Sequence, residues 1–410
     1  MRVKKERYRF IMRVLNTLVR WLQPLGITPR VLDAKVIIRK AERKTGLSDL
    51  GNNAHEPGMS EALKSINSMP ISPFGKLSST GFAVEALSNR LKLVDYLKHN
   101  PKVLETKVNR PLFIIGFPRT GTTLIQNLLA LSSDRRALQF WEIMNPIPVS
   151  KNRKLDVLKR KRRAAFRLGV ANFALPEMKY LHEVKVDSYE ECWPMMINQF
   201  TAGNWEMMNR FPEFGKWMQQ ADLRYAYEEY KKYLQILISA EPDKDLVLKC
   251  PDHMWYIDKI LEVFPDAMFV WTHRDPSKSV ASYCSMVSLN WRLLYGEYDP
   301  KEVGPYIEER FIQGINRALA IRERVGEDKF LDVNFQTLLE DPIKAINQIT
   351  SYFNLTPVEE DKMKAYLNSD RSDERGNHTY SAERYGLDVE KIREHYKDYI
   401  QRFDIPISEK

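Results

Sequence analysis

Apolar and polar positions along the chain predict buried strands that are followed by amphipathic helices. The clearest case is the apolar run from Leu112 to Ile115, which is typical of a buried strand and is interrupted at Gly116 and Gly121. A helical pattern then begins at Thr122 and places apolar residues on one face, namely Leu124, Ile125, Leu128 and Leu129. A strand, a glycine-containing loop and a helix N-terminus together present backbone N–H groups and the positive end of a helix dipole. We therefore predict that this segment holds a phosphate or a sulfate.

Two more buried strands are predicted later in the chain, from Asp245 to Lys249 and from Ala267 to Thr272. The second of these leads into a helix from Ser277 to about Leu289. Helical patterns dominate elsewhere, and we find no internal repeat and no Pro- or Ser-rich linker. The predicted layout is a helical N-terminal region over residues 1–108 and one α/β domain over 109–410, with a helical insertion at 151–240.

The insertion is rich in aromatic residues, and two interpretations of them stay open. They could line the pocket for a substrate, or they could form the ordinary core between helices. The residues concerned are Trp193, Trp205, Phe211 and Trp217.

Positive charge is concentrated at the N-terminus. The net charge of the whole chain is +9, and residues 1–50 alone hold 13 Lys and Arg against 4 Asp and Glu. Apolar residues recur there at helical spacing: Phe10, Ile11, Val14, Leu15, Leu18, Trp21 and Leu22. Such a helix can lie on an anionic membrane surface or pack against its own protein with the basic face in water, and we favour packing. No apolar run approaches the ~18 residues of a membrane span, and no signal peptide is evident.

Composition indicates a single large globular protein, since 43% of the residues are hydrophobic and 11% are aromatic.

The three cysteines, Cys192, Cys250 and Cys284, lie far apart and lack metal-ligand spacing, which favours a reducing cytoplasm. A second basic run, from Lys151 to Arg167, could hold an acidic substrate or form a solvated helix face. Nucleic acid is not an expected partner, because no recognition motif accompanies the positive charge.

The glycine loop departs from the nucleoside-triphosphate P-loop at one informative position. Gly116 and Gly121 have the spacing of the G-x-x-x-x-G-K-[ST] motif, but Thr122 stands where its lysine would be. The cation lies inside the loop instead, as Arg119. An arginine fork suits a planar array of anionic oxygens and needs no metal ion. The loop therefore fits phosphate or sulfate binding better than magnesium-dependent hydrolysis.

A second anion site is predicted where the strand from Ala267 to Thr272 ends. Arg274 follows that strand, and Ser282 lies eight residues later, two turns into the next helix. Ligands of open α/β sheets bind at the carboxyl ends of the strands. Two such sites in one chain indicate a ligand that carries phosphate groups at two separate places.

With these two motifs, the sequence resembles the sulfotransferase superfamily, whose sulfuryl donor is 3′-phosphoadenosine 5′-phosphosulfate (PAPS). The stretch from Phe117 to Thr123 resembles its 5′-phosphosulfate loop, and Arg274 with Ser282 resembles its 3′-phosphate motif. The pattern is closest to the bacterial-type branch with arginine in the loop, and the resemblance extends from about Leu47 to Phe403. It implies a three-layer, P-loop-like α/β fold with a central, mainly parallel sheet flanked by helices, and a metal-free reaction that leaves PAP.

The resemblance also assigns expected roles to individual residues. Arg119 is expected to stabilise the leaving group, and a basic segment near the C-terminus is expected to close over the nucleotide, followed by a helix-like stretch from Tyr385 to Phe403. The residues expected to bind the cofactor are Arg119, Thr120, Gly121, Thr122, Thr123, Arg274, Ser282, Arg375, Gly376 and Asn377.

The general base is harder to predict, because it must reach the substrate oxygen. We rank Glu142 first, since relatives with arginine in the loop place a catalytic carboxylate in this region, and His253 second. His253 lies two positions later than the family pattern predicts, whereas Lys249 lies close to the interval of the family's catalytic lysine. His182 and the pair Glu190–Glu191 are weaker candidates.

The sequence therefore predicts a sulfotransferase that moves a sulfuryl group from PAPS to a hydroxyl or amine of a small-molecule or lipid acceptor. It leaves the identity of the acceptor and the oligomeric state open. Two alternatives remain: a P-loop-type kinase or NTPase, and an inactive protein on a membrane surface that retains the fold.

Overall fold

The computed structural model describes the backbone of residues 2–24, 30–369 and 381–407, and their side chains from Met12 onward except those of Lys179 and Tyr180. Within these ranges, five strands form one sheet in the order β2-β3-β1-β4-β5, and every neighbouring pair is parallel. Their bounds are Leu112–Gly116 (β1), Arg135–Ala137 (β2), Asp245–Lys249 (β3), Met268–His273 (β4) and Phe330–Asn334 (β5).

Helices surround this sheet and form most of the remaining structure. Four precede it: α1 (Arg2–Leu22), α2 (Ala34–Thr45), α3 (Glu56–Ser68) and α4 (Pro73–His99). Eight lie between β1 and β3: α5 (Thr122–Leu129), α6 (Phe140–Met144), α7 (Arg153–Ala174), α8 (Met178–Leu181), α9 (Trp193–Met196), α10 (Gly203–Asn209), α11 (Pro212–Gln220) and α12 (Arg224–Ile238). The others are α13 (Ile257–Val263), α14 (Pro276–Tyr295), α15 (Val303–Val325), α16 (Phe335–Glu340), α17 (Pro342–Tyr352), α18 (Glu360–Ser369), α19 (Val389–His395) and α20 (Lys397–Arg402).

Both faces of the sheet are buried, because alternate residues of each strand enter different hydrophobic clusters. Phe113 and Ile115 of β1 join the larger cluster with the N-terminal helices and α12. Leu112 and Ile114 join a second cluster with α5 and α17. The strands of a sheet that is covered on both faces have continuous apolar sequences, and β1 has this pattern. The predicted α/β fold with a parallel sheet flanked by helices is confirmed, and it has three layers.

Buried Arg90 of α4 connects the N-terminal helices to the rest of the molecule. Its guanidinium donates to the carbonyls of Leu50 and Asn52 and to Oε1 of Gln199, and it lies 3.5 Å from Glu229 of α12. An arginine that is only 1% exposed is tolerated because these acceptors satisfy it.

Two expectations about elements need correction. The prediction missed β2, which is only three residues long, and β5, an edge strand in which Phe330 and Val333 are buried and the other three residues are accessible. The apolar face predicted for α1 packs only in part. Leu15 packs against a small cluster, whereas Val14, Leu18 and Trp21 are exposed, and Met12 and Val19, which the prediction did not include, are buried. Phe10 and Ile11 lie outside the described side chains.

No helix in the described part of the chain is both long enough and apolar enough to cross a bilayer.

Candidate active site

The loop between β1 and α5 is folded tightly against its neighbours. Gly116, Arg119 and Gly121 all have positive φ, at 131°, 71° and 84°. A Cβ on Gly116 would lie 2.5 Å from Oγ1 of Thr272 in β4, so only glycine fits there. A Cβ on Gly121 would lie 2.5 Å from Cδ2 of Leu338 in α16. The two glycines therefore let the loop approach β4 and α16 closely.

Thr120 fastens this loop to β4. Its buried hydroxyl donates to the carbonyl of Phe117 at 2.7 Å and lies 2.5 Å from the hydroxyl of Thr272. The next two residues, Thr122 and Thr123, form the first turn of α5 and line a cavity. The backbone N–H groups of such a first turn have no acceptor within the helix. The side chain of Thr120 is thus structural, whereas the helix start faces the cavity.

Arg274, which follows β4, contacts the loop directly. Its Nη1 donates to the backbone carbonyl of Arg119 at 2.7 Å, and its guanidinium carbon lies 4.3 Å from the ring centre of Phe335. Arg119 in turn donates from Nη1 to the carbonyl of Leu181 at 3.2 Å. Both arginines line the same cavity. The two predicted anion sites are therefore adjacent.

The other residues expected to bind the cofactor are Ser282, which lies near the cavity, and three residues of the C-terminal segment. Ser282 is partly buried on α14, one turn before Met286 and two turns before Asn290, both of which line the cavity. It therefore lies on the stripe of α14 that leads to the cavity. Arg375, Gly376 and Asn377 lie outside the described residues.

The cavity has a volume of about 520 Å³, within the range of small-molecule sites. Its floor is formed by the loop and the arginines, and α7 forms one wall. Ala171 and Asn172 of α7 are exposed and also line it, so the cavity opens beside them. Most of the wall away from the loop is apolar: Ile143, Met144, Leu168, Leu175, Met178, Val184, Met208 and Met286.

A cluster of charged residues borders the cavity close to Arg119. His182 follows Leu181, and its Nε2 lies 3.1 Å from Oε2 of Glu190. Burial opposes the charged form of the imidazole, but the negative charge of Glu190 outweighs it and raises the pKa of His182. Burial likewise opposes ionisation of Glu190, and the charge of His182 nevertheless lowers the pKa of this carboxyl. His182 and Glu190 therefore form an ion pair on the cavity wall.

Lys249 forms a second ion pair beside the first. It is buried at the end of β3, and its Nζ donates to Oε1 of Glu191 at 3.2 Å. Burial would lower the pKa of Lys249, but Glu191 and Glu190 raise it overall. Glu191 lines the cavity, so Lys249 borders the site through its partner.

Glu142 has structural contacts on both oxygens. One forms an ion pair with Arg136, and the other accepts from the backbone N–H of Gln139 at 3.0 Å, as part of a capping box that begins α6. Among the described residues on the cavity wall are its neighbours Phe140, Ile143 and Met144, but not Glu142 itself.

His253 lies in the core beneath the sheet. Its ring packs edge-on against Phe113 of β1 with centroids 5.0 Å apart, and Nδ1 lies 3.1 Å from the hydroxyl of Tyr227. Burial lowers the pKa of His253 to about 3, so the ring is neutral. The described cavity wall does not include it.

Sequence reasoning missed Asn204 of α10. Its backbone N–H donates to Oδ2 of buried Asp252 at 2.8 Å, its side-chain oxygen accepts from Tyr283, and the residue lines the cavity. Burial raises the pKa of Asp252 to about 7. No local pattern marks Asn204, because its partners lie 48 and 79 residues away. Of the four aromatic residues of the insertion singled out from sequence, Trp193 lines the cavity, and Trp205, Phe211 and Trp217 pack in the core or against it.

A sulfotransferase family model matches residues 111–360, more than half of the chain. The chain belongs to this family. The resemblance inferred from the two anion motifs is thus confirmed, and the protein is a sulfotransferase-family enzyme rather than a kinase or an NTPase.

Individual sulfotransferases resemble most of the chain in sequence or in fold. Omega-hydroxy-beta-dihydromenaquinone-9 sulfotransferase Stf3 of Mycobacterium tuberculosis is 24% identical over 324 residues, which are 74% of this chain and 77% of Stf3. The crystal structure of sulfotransferase STF9 from Mycobacterium avium superposes with a TM-score of 0.80 at 29% identity, covering 92% of this chain and 98% of that one. STF1 of Mycobacterium tuberculosis has the same fold, with a TM-score of 0.78 at 23% identity over 90% of this chain and 99% of STF1.

Proposed function

We propose that this sulfotransferase takes its sulfuryl group from PAPS and transfers it to the hydroxyl of an acceptor with an apolar body. The observation that carries the proposal is the hydrogen bond from Arg274 to the backbone of Arg119. It joins a helix N-terminus and two guanidinium groups at one end of a cavity whose remaining wall is largely apolar. This arrangement suits a donor with two separate anionic groups.

The residues around the loop would hold the donor. Arg119 with the start of α5 suits the 5′-phosphosulfate, and Thr122 and Thr123 would add hydroxyl donors there. Arg274 and Ser282 suit the 3′-phosphate, and sequence pattern alone places Arg375, Gly376 and Asn377 beside the nucleotide. When bound, PAPS supplies the sulfuryl group and leaves as PAP. Charge develops on the bridging oxygen during transfer, and Arg119 is suited to stabilise it.

His182 in its neutral form, held by Glu190, is our candidate for the general base, ahead of Glu142 and His253. A hydrogen bond from Nε2–H to Glu190 leaves Nδ1 of His182 to accept the proton of the acceptor hydroxyl. Glu190 would hold the ring and stabilise the imidazolium that forms. The pair lines the cavity, whereas the described wall includes neither Glu142 nor His253.

The apolar wall supports an acceptor that is largely hydrocarbon. Aliphatic and methionine side chains from α6, α7, α10 and α14 face the space beyond the loop. Stf3 acts on omega-hydroxy-beta-dihydromenaquinone-9, as its name states, and a hydroxyl at the end of a long apolar molecule would suit this cavity as well. We therefore expect turnover to rise with the length of the acceptor's hydrocarbon chain.

A binding titration and an acceptor screen test the proposal. PAP should bind without magnesium, and Arg274→Ala should weaken that binding by about 100-fold or more, since it removes a charged partner of a phosphate. Labelled PAPS should then give sulfated product with primary alcohols of increasing chain length. Tight magnesium-dependent ATP binding with indifference to PAP would reject the donor, and preference for amines or polar sugars would reject the acceptor class.

A further inference from the structure

Helix α7 has two different faces. Its inner face lines the cavity with Leu168 and Ala171. Its outer face carries an exposed row of apolar residues one turn apart, Phe166, Val170 and Phe173, which we call the α7 row. Phe166 is 74% exposed and Phe173 is 76% exposed. Large apolar side chains grouped in this way on a surface mark an interaction site.

Helix α1 packs close to the end of α7 and carries an exposed apolar row of its own. Met12 of its packed side shares a small cluster with Leu175, the residue that follows α7. The opposite side exposes Val14, Leu18 and Trp21, which we call the α1 row, and Trp21 is 71% exposed. Packing of α1 therefore leaves three residues of its predicted apolar face exposed.

Cations surround both rows. In α7 the exposed residues Lys159, Arg162 and Arg163 lie beside or just before the row, and α1 exposes Arg13 and Arg20. Across its 22 residues α7 has eight lysines and arginines and one acidic residue, Asp156. Asp156 is buried and pairs with Arg160, so it does not offset the charge of the outer face.

The positive region extends to α2 and α4. Lys44, Lys92 and Arg163 lie near one another, and burial together with the other two cations lowers the pKa of Lys92 to about 8. Glu85 forms ion pairs with Lys44 and with Arg167 of α7. Positive charge thus exceeds negative charge on this side of α7.

We propose that the α7 row and the α1 row dock the enzyme on a lipid bilayer with anionic headgroups. Phenylalanine and tryptophan side chains would enter the interface while the surrounding cations bind the headgroups. The cavity opens beside Ala171 and Asn172, between the α7 row and the residues that pack against α1. The bilayer would therefore supply the acceptor at this opening, a step that rests on the proposed function.

Charge favours a bilayer over a second copy of the chain as the partner. Two copies that meet through these faces would bring two positively charged surfaces together. Like charges at such an interface oppose association, whereas anionic headgroups neutralise them. A lipid partner is thus the one that matches both the apolar and the charged residues of the surface.

Vesicle sedimentation of the full-length enzyme tests the docking. The enzyme should bind vesicles of equimolar phosphatidylcholine and phosphatidylglycerol, bind pure phosphatidylcholine more weakly, and detach as salt is raised. Phe166→Ser/Phe173→Ser should weaken binding to the anionic vesicles by about tenfold or more, because two exposed apolar anchors are lost. Leu18→Ser/Trp21→Ser in the α1 row should have a similar effect.

The matched control is Leu104→Ser/Leu339→Ser, which removes two exposed leucines outside both rows and should leave vesicle binding unchanged. PAP affinity, measured for every variant, verifies that the fold is intact. The docking is overturned if the wild type ignores anionic vesicles or if the row variants bind them like the wild type. The docking is also overturned if the wild type is a dimer and Phe166→Ser/Phe173→Ser converts it to a monomer, because the α7 row would then be a dimer interface.

The delivery step has its own readout. The α7-row variant should lose turnover of a long-chain alcohol embedded in vesicles and keep turnover of a short soluble alcohol. Equal loss of both would reject delivery from the bilayer. Failure of the wild type to use PAPS would reject the proposed function and leave the vesicle result standing.

Discussion

At the scale of single residues, Arg119 has an unfavourable backbone conformation and makes two hydrogen bonds that hold it in place. It is a non-glycine residue at φ 71°, a conformation that costs on the order of 1 kcal/mol. The turn directs its carbonyl to Arg274, and its side chain reaches the carbonyl of Leu181. These contacts hold the strained residue in place, so the position of Arg119 is fixed before any ligand binds.

The pH dependence of turnover tests the role of Glu190. If neutral His182 accepts the proton, turnover should rise with pH through the raised pKa of His182, above the ordinary value of 6.5. Glu190→Gln removes the charge that raises this pKa, so the rise should shift to lower pH, and maximal turnover should fall by about tenfold or more. The measurement is the pH profile of turnover in both proteins.

A profile that is flat from pH 6 to 8 in the wild type would reject His182 as the base. It would instead suit Glu190 itself, whose pKa lies below the ordinary 4.5 and which is therefore ionised throughout that range. PAP affinity serves as the control, because Glu190→Gln removes no residue that we assign to the donor.

Glu142→Gln tests whether the residue ranked first from sequence is structural. The change removes the ion pair with Arg136 and weakens the capping box of α6, so the free energy of unfolding should fall by about 1–3 kcal/mol. The folded fraction should retain turnover per molecule. Normal stability with turnover reduced by orders of magnitude would restore Glu142 as the general base.

Positions at the cavity could be predicted where a motif is contiguous and were harder to predict where contacts are distant. Residues 118–123 and Arg274 were expected at one site because each motif follows an apolar run, and most of them line the cavity. The sequence pattern could not bring His182 to the same cavity, since 62 residues separate Arg119 from Leu181, with which it is in contact. Glu142 attracted a catalytic interpretation, although a carboxylate three residues into a helix also fits a capping box.

At the scale of elements, the same amino acid, glycine, has opposite consequences in the loop and in α7. Gly116 has φ 131° and no room for a Cβ, whereas the space around Gly169 in α7 is open within 4 Å. Gly116→Ala should lower the free energy of unfolding by about 2 kcal/mol or more and weaken PAP binding. Gly169→Ala, the matched control, should raise stability by about 0.5–1 kcal/mol. Denaturant unfolding and PAP titration measure both, and equal stabilities would contradict the tight fit of the loop.

Elements that are apolar throughout were easier to predict than edge elements. Strand β1 is buried throughout and is apolar along its whole length, and β3 has three buried apolar residues between Asp245 and Lys249, so the positions of both strands follow from the sequence. Strand β2 consists of Arg135, Arg136 and Ala137, and only its pairing with β3 makes it a strand. Periodicity detected helix α1, but it could not tell which face packs, because Met12 and Val19 are no more apolar than Leu18 and Trp21.

At the scale of the whole molecule, Arg322 joins parts of the chain that are far apart in sequence. Its guanidinium donates to both oxygens of Asp332 on β5 at 2.7 and 2.8 Å and also pairs with Glu327. It packs over the rings of Phe330 and Phe403, 4.7 and 5.4 Å from their centres. Arg322 thus links α15, the edge of the sheet and the C-terminal residues.

This cluster predicts how global stability depends on pH. Burial alone would raise the pKa of Asp332, but Arg322 and His273 lower it to about 2, from an ordinary value of 3.8. A lowered pKa means that ionised Asp332 stabilises the fold above about pH 4, and that this contribution is lost as pH falls towards 2. Because the side chain is 35% exposed, solvent screening reduces the contribution, and we expect Asp332→Asn to cost about 1–2 kcal/mol at pH 7.

The difference in unfolding free energy between wild type and Asp332→Asn should therefore be constant above about pH 4 and shrink below it. Glu327→Gln is the matched control, since it removes another partner of Arg322 whose side chain is 60% exposed, and it should cost less than about 0.5 kcal/mol. Denaturant unfolding at several pH values measures all three proteins. A gap that persists unchanged at pH 2 would mean that packing around residue 332, rather than its charge, holds the edge of the sheet to α15.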